Sequence, residues 1–583
     1  MTMTRLRTLT LFLLLSLLIL LPACGGGGEG SETTAAPETT APETTALPPF
    51  AGESAANFRV IRAEDAGEDE IDAAVMIVKA ITEATGQMPE MGTDFIKKDA
   101  AYDSSTYEIL VGRTAYPESK AVLSSLSLGE YAVRAEGNKI VVTAWSDGAL
   151  RLAASELADK IKGGLTAFTA ADGFTQVYNA TLSALPAYTD GEFAAIDNAG
   201  NKAYQVVFEQ TTAEAWEAYC QTLADAGFAA DSTREAAGNR FAIYRGSKYS
   251  VTTYFTPFNK TARTIIEPIA NLGPAEEDAA GPAVTEPKLT MIGRKFSSGN
   301  TFRGAAADTG YMCYVLRLAD GRFIIIDGGT RIDAFADAIY QTLRDQAPDP
   351  AKIEVAAWII THSHGDHNGG FMLFCEKYKN VVNISMLMTN LPSEAAAEND
   401  SGASGKAAVS NTFSAYQTAY PKGQVVKLHN GYNRTIGGAE IEVLYTHEDY
   451  ITSARTLADT RLWNNTSLIF RINIAGQALM FLGDAQVDSN TITSNMYGDY
   501  LKSDIVQVAH HGGEGGTAQI YTLINAATAL FTTSDELMPI YLADNHNAHL
   551  VGKTNLKEWI NAADRITYFD LPYTVGTAKI KGE

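Results

Sequence analysis

The chain has 583 residues, 46% of them hydrophobic and 9% aromatic, enough to build several buried cores. Forty-five Lys and Arg against 68 Asp and Glu leave a net charge of −23, which disfavours a general binder of nucleic acid or anionic lipid.

Arg5 and Arg7 precede the apolar run Leu11–Leu21, which is shorter than the about 20 residues of a comfortable membrane span. The run ends in Leu21-Pro22-Ala23-Cys24. This resembles a bacterial lipobox. The resemblance implies removal of residues 1–23, lipidation of Cys24, and a protein anchored in the membrane at the outer face of the cell. An ordinary signal peptide or a short membrane helix is the alternative. Residues 24–56 open with the tetraglycine Gly25–Gly28 and repeat Ala-Pro-Glu-Thr-Thr at 36–40 and 41–45. Such composition buries no core and reads as a tether. The other cysteines, Cys220, Cys313 and Cys375, stand in apolar stretches and read as small core residues, with a Cys313–Cys375 bridge left open.

Residues 57–185 alternate strand and helix signals. Phe58–Arg62, Tyr107–Gly112, Tyr131–Ala135 and Lys139–Ala144 read as strands. Ile71–Thr85, Pro117–Leu126 and Asp147–Lys162 carry apolar residues at helical spacing. The expectation is a small α/β domain. Tyr107–Thr114 and Gly129–Leu157 resemble the non-catalytic α/β domains that precede catalytic domains in some polysaccharide-degrading enzymes, which carry over no ligand residues. Residues 186–268 predict an α+β module with strands at Tyr204–Glu209, Arg240–Tyr244, Tyr249–Phe255 and Thr261–Ile266. Thr211 or Thr212 caps a helix bearing Trp216, Tyr219 and Leu223. Its aromatics read as core, with a glycan platform as the alternative. Residues 269–286, with two Gly-Pro pairs and an acidic run, read as a linker.

Residues 287–583 carry the chemistry. Here 24 Lys and Arg face 30 Asp and Glu, against 21 and 38 before Pro287, so this half is near neutral for its size. The buried strand Val355–Ile360 runs into Thr361-His362-Ser363-His364-Gly365-Asp366-His367, the pattern His-x-His-x-Asp-His. Spacing at a strand end lets His362 and His364 share one metal ion while Asp366 and His367 turn toward a second. Nitrogen and carboxylate donors suit zinc, and also manganese or iron. Two more strands end in chemistry: Ala478–Gly483 in Asp484, and Asp504–Ala509 in His510-His511-Gly512.

This ordered set resembles the metallo-β-lactamase fold superfamily, and the resemblance implies an αββα sandwich holding two divalent ions at one rim. Asp484 matches the bridging carboxylate. Either His510 or His511 completes the second site, with His510 preferred because it continues the strand. The middle histidine of the family pattern has no clear match. His429 and His447 are the candidates, and Asn390 or Thr389 could stand in for it. Asn464–Leu468, His510–Gly512 and Asp544–His549 further resemble the extracellular hydrolase domain of bacterial competence proteins and the phosphorylcholine esterases, although Gly513 stands where a serine is usual. On that resemblance His549 could touch substrate or metal, and with the ions at this rim substrate contacts are expected from loops such as Leu391–Tyr416 and Asn430–Asn433. The ligand set implies a metal-activated water with Asp366 moving the proton, and the near-neutral charge of this half favours a phosphodiester as its substrate. The alternatives are a lactone, thioester or β-lactam hydrolase, or a surface binding protein with a vestigial site. A small molecule or a cell-envelope polymer is the expected substrate, nucleic acid is disfavoured by charge, and no protein partner is expected.

Overall fold

The computed structural model describes residues 55–96, 101–165, 168–274, 278–295, 301–302, 305–306, 311–457 and 463–582, all within the unit Pro49–Glu583. The expected lipobox, Cys24 and most of the tether lie outside the described residues. No helix among the described residues is long and apolar enough to cross a membrane.

The first sheet orders its strands Met91–Thr93, Arg59–Arg62, Glu108–Val111, Lys139–Ala144, Glu130–Glu136 and Phe174–Val177. The first four are parallel and the last two antiparallel. Period-two alternation splits the strand residues between two cores. Val60, Ile109 and Val142 pack under the helices Glu68–Thr85 and Asp147–Lys162. Ile61, Leu110 and Val141 pack with Val122 of the helix Pro117–Ser124 on the other face.

The second sheet is antiparallel throughout, in the order Glu192–Gly200, Ala203–Glu209, Thr261–Pro268, Tyr249–Thr256, Asn239–Arg245, Ala229–Ala236. Thr212 caps the helix Ala213–Asp225 by accepting from Ala215 N. Trp216 and Tyr219 on that helix are buried against Val206, Phe208 and Val251, as core rather than platform. The opposite face does not meet water. Val207, Tyr254 and Ile265 run into one continuous core with Leu444, Tyr445 and Ile469 of the third segment.

The third segment is a sandwich of a nine-stranded and a seven-stranded sheet. Leu316, Ile324, Ile359, Ile441, Phe470 and Phe481 fill the space between them. The helices Asp333–Gln346, Gly365–Tyr378 and Glu394–Ala419 cover the outer face of the larger sheet, and Val487–Tyr497 and Ala518–Ile524 that of the smaller. This is the expected αββα arrangement. One local expectation fails: Leu391–Tyr416 is not a loop but falls largely in the helical stretch Glu394–Ala419, which is broken at Ser401–Gly402 and capped by Ser393 through Ala396 N. The expected linker also adheres to the sandwich. Asp278 pairs with Arg322 at 2.6 Å, and Leu272 O accepts from Gln424 Nε2 at 2.9 Å. Cys220, Cys313 and Cys375 are all free.

Candidate metal centre

The all-apolar strand end Trp358-Ile359-Ile360 is buried between the sandwich core and the outer helices, so the chain emerges at the rim at a fixed place. His362 and Ser363 follow, and the helix Gly365–Tyr378 begins with His364 in the capping position. Asp366 and His367 therefore occupy its first turn, where the helix dipole favours a carboxylate. Glycine lets this helix approach the preceding loop. A Cβ on Gly370 would lie 2.0 Å from Gly328 O, and in the native contact Gly370 N donates to Gly329 O at 2.7 Å.

Two donor groups converge, Asp366, His367, Asp484 and His511 in one and His362, His364 and Asp484 in the other. In the first, His511 Nε2 stands 3.3 Å from both His367 Nε2 and Asp366 Oδ2, and 3.4 Å from Asp484 Oδ2. His367 Nε2 is 3.2 Å from Asp484 Oδ1. In the second, His362 Nε2 is 3.0 Å from His364 Nδ1 and 3.8 Å from Asp484 Oδ2. Asp484 is thus common to both, one strand end away from the histidine motif.

The pairing of His511 rather than His510 reverses the preference drawn from strand continuation. The strand stops at Gln507, and the turn Ala509–Gly512 carries both histidines at positive φ, 51° and 59°. Non-glycine residues seldom adopt this conformation, and it turns the second imidazole inward. His511 is buried, whereas His510 is half-buried, with Nε2 at 3.9 Å from Asp484 and Nδ1 facing Gln486.

The other candidates do not join the donors. Asn390 is locked, donating to Leu428 O at 2.6 Å while its Oδ1 takes Lys427 Nζ and faces His447 Nε2. Thr389 donates to Ile360 O. His429 is sandwiched between Glu448 and Glu267. Asn430 is held by Asp449 and Tyr497. His549 lies on the helix Asn545–Lys553 and pairs with Thr522 Oγ1 at 2.8 Å. Among the described residues the group around His362 therefore has three protein donors.

Residues behind the donors set which ring nitrogen faces inward, and the sequence reading passed over them. Buried Asp327 accepts from Thr361 N and Oγ1, both at 2.8 Å, and its Oδ2 is 2.7 Å from His367 Nδ1. Thr532 Oγ1 meets His511 Nδ1 at 2.8 Å. Both histidines are left with Nε2 toward the cluster, the usual way an outer partner fixes a ligating imidazole. The available signal is Asp327-Gly328-Gly329, an aspartate placed directly after the buried strand Phe323–Ile326.

The donor set fits divalent cations. Asp484 is 2% exposed, and its two carboxylate oxygens face His362, His367 and His511. Burial alone would raise its carboxyl, yet His367 and His511 hold it well below the carboxylate range. Burial opposes charge on His511 too, but Asp484 and Asp366 hold it up to about 9. Burial and the neighbouring imidazoles push His362 well below the ordinary range, leaving a neutral ring with a free lone pair. A buried carboxylate shared by imidazoles on both sides is a pattern that metal ions satisfy.

The fold and this convergence define the third segment as a metallo-β-lactamase-type sandwich with a candidate dinuclear centre. In agreement, residues 308–447 match the family model described as the metallo-beta-lactamase superfamily. Among solved structures, the chain is similar to the metallo-beta-lactamase fold protein YhfI from Bacillus subtilis, at 15% identity and TM-score 0.28, covering 48% of this chain and 96% of that one. It is similar to CmlA, a diiron beta-hydroxylase from Streptomyces venezuelae, at 15% identity and TM-score 0.26, covering 46% and 50%. The flavodiiron protein from Giardia intestinalis matches at 11% identity and TM-score 0.21, covering 48% and 55%. No curated protein matches the chain.

Proposed function

We propose that the protein is a metal-dependent hydrolase acting on a phosphodiester and held through lipidated Cys24 at the outer face of the cell membrane. The observation that carries the hydrolytic reading is the shared carboxylate of Asp484 between two imidazole groups. His362, His364 and Asp484 would hold one ion and Asp366, His367, Asp484 and His511 the other. Bound there, divalent ions supply Lewis acidity and a nucleophilic water at neutral pH. The chain does the rest. Asp327 and Thr532 keep the imidazole Nε2 atoms aimed inward. Burial disfavours an ionised Asp366, but His367 and His511 hold its carboxyl below the ordinary range, so it stays a carboxylate and a weak base, suited to relay a proton rather than to keep it. Being only half-buried, it passes that proton to solvent. Among ester types the phosphodiester is favoured by the near-neutral charge of residues 287–583, where a long acidic surface would repel phosphate. A cell-envelope polymer with phosphodiester links suits a tethered enzyme.

The test is bound metal and hydrolysis of bis-(p-nitrophenyl) phosphate, measured for wild type and Asp484→Ala. Turnover that survives both a chelator and this substitution removes the hydrolase reading. A panel that finds lactone, thioester or β-lactam cleavage and no phosphodiester cleavage removes the substrate class alone.

A further inference from the structure

The first sheet has a feature that the catalytic reading leaves unused. Its parallel strands run Met91–Thr93, Arg59–Arg62, Glu108–Val111, Lys139–Ala144, so the chain leaves Arg59–Arg62 toward one side and returns to add Glu108–Val111 on the other. The order therefore reverses between these two strands. Crevices outside the carboxyl ends of strands at such a reversal are where open α/β sheets bind ligands. A cavity of about 610 Å³ lies at this place, and residues Glu192–Ala194 of the second sheet form part of its wall. Its size falls in the range of small-molecule sites.

We propose that this crevice binds a neutral saccharide. Thr114 lines it, is 1% exposed, and its Oγ1 has no hydrogen-bond partner. A buried hydroxyl left unpaired costs stability unless something meets it. Trp145 and Phe193, both half-buried, pack on each other with centroids 5.1 Å apart and planes tilted by 55°, and the surface they leave exposed gives the crevice an apolar aromatic wall for a sugar ring. The Trp145 Nε1 is already committed to Leu126 O at 3.3 Å, which fixes the indole. A second cavity of about 590 Å³, walled mainly by apolar groups, also touches Trp145.

The charges select against an anion. Arg113 is already engaged: its Nε is 3.6 Å from Glu70 Oε1 and its guanidinium lies 5.1 Å from the Phe193 centroid. The other ionic side chains of the wall are Asp65, Glu192 and Lys120, an excess of carboxylate. Carboxylates accept hydrogen bonds from sugar hydroxyls and repel phosphate. Nothing in this site depends on the metal centre.

Chitotetraose, cellotetraose and mannotetraose are offered to the full chain, with glycerol phosphate as the anionic comparison, using saturation-transfer NMR and titration calorimetry. The expected result is binding of at least one neutral oligosaccharide. Thr114→Val weakens it about fivefold without lowering the thermal midpoint, because the substitution removes an unpaired hydroxyl. Phe193→Ala weakens it about tenfold with metal content unchanged. If Phe193→Ala does not fold, Thr114→Val decides alone. No signal from any neutral oligosaccharide, a signal from glycerol phosphate alone, or binding indifferent to Thr114→Val overturns the proposal.

Discussion

Asp484 sits one peptide beyond Gly483, whose φ of 54° turns the chain off its strand and toward the histidines. Because both donor groups share this one carboxylate, Asp484→Ala removes a ligand from each. The expected outcome is loss of both ions by elemental analysis and, on the proposed hydrolase reading, a fall in bis-(p-nitrophenyl) phosphate turnover of at least about a thousandfold. The two adjacent histidines give a sharper contrast. His511→Ala depletes the ion bound with Asp366 and His367, whereas His510→Ala retains it, as read by metal stoichiometry. Asp327→Asn keeps the shape behind His367 but removes the charge and one acceptor. Metal affinity falls about 10- to 100-fold, the range for a partner that orients a ligand, measured by competition with a chromogenic chelator.

At the scale of elements, the site depends on how closely the helix Gly365–Tyr378 lies on the loop after Phe323–Ile326. Gly328 N donates to His367 O at 2.6 Å, and Gly370 leaves no room for a Cβ. Gly370→Ala therefore pushes apart the loop holding Asp327 and the helix holding His367. A loss of about 1–3 kcal/mol in urea unfolding is expected, together with weaker metal binding. The donor-bearing strands were legible in the sequence because each is a short apolar run ending in His or Asp, a pattern set by burial on both faces. The choice within His510-His511 was not, since it turns on two residues at positive φ that no periodicity reports. The helix at Glu394–Ala419 was hidden as well. Its Ala, Ser, Asn and Gly content shows almost no apolar stripe, and it buries only Ala397, Val409, Thr412 and Tyr416.

On the scale of the whole molecule, the second sheet is a wall of the sandwich that carries the candidate metal centre rather than an appendage. The sequence could place its strands but not its second apolar face, because Val207, Tyr254 and Ile265 alternate just as they would in a one-sided sheet. Polar contacts cross the same seam. Arg263, 2% exposed, donates to Glu448 O, Asp449 O and Ile451 O, and Lys427 Nζ donates to Ala199 O at 2.7 Å. Glu267 reaches His429 Nε2 at 3.0 Å. Burial disfavours charge on His429, but Glu448 and Glu267 raise it to about 9. A folded-state value above the unfolded one gives stability that is complete below the unfolded value and is lost as pH rises through about 9. Glu267→Gln should therefore destabilise the protein near neutral pH, and its deficit against wild type should shrink above about pH 9, followed by chemical denaturation at a series of pH values.

The three carbonyls around Arg263 also bear on proteolysis. An arginine is where trypsin cuts, but this one is encased, and its main chain lies in the paired strand Thr261–Pro268 between two neighbours. Limited digestion of the folded protein should spare the peptide bond after Arg263, and cleavage there should appear only once the seam between the second sheet and the sandwich opens.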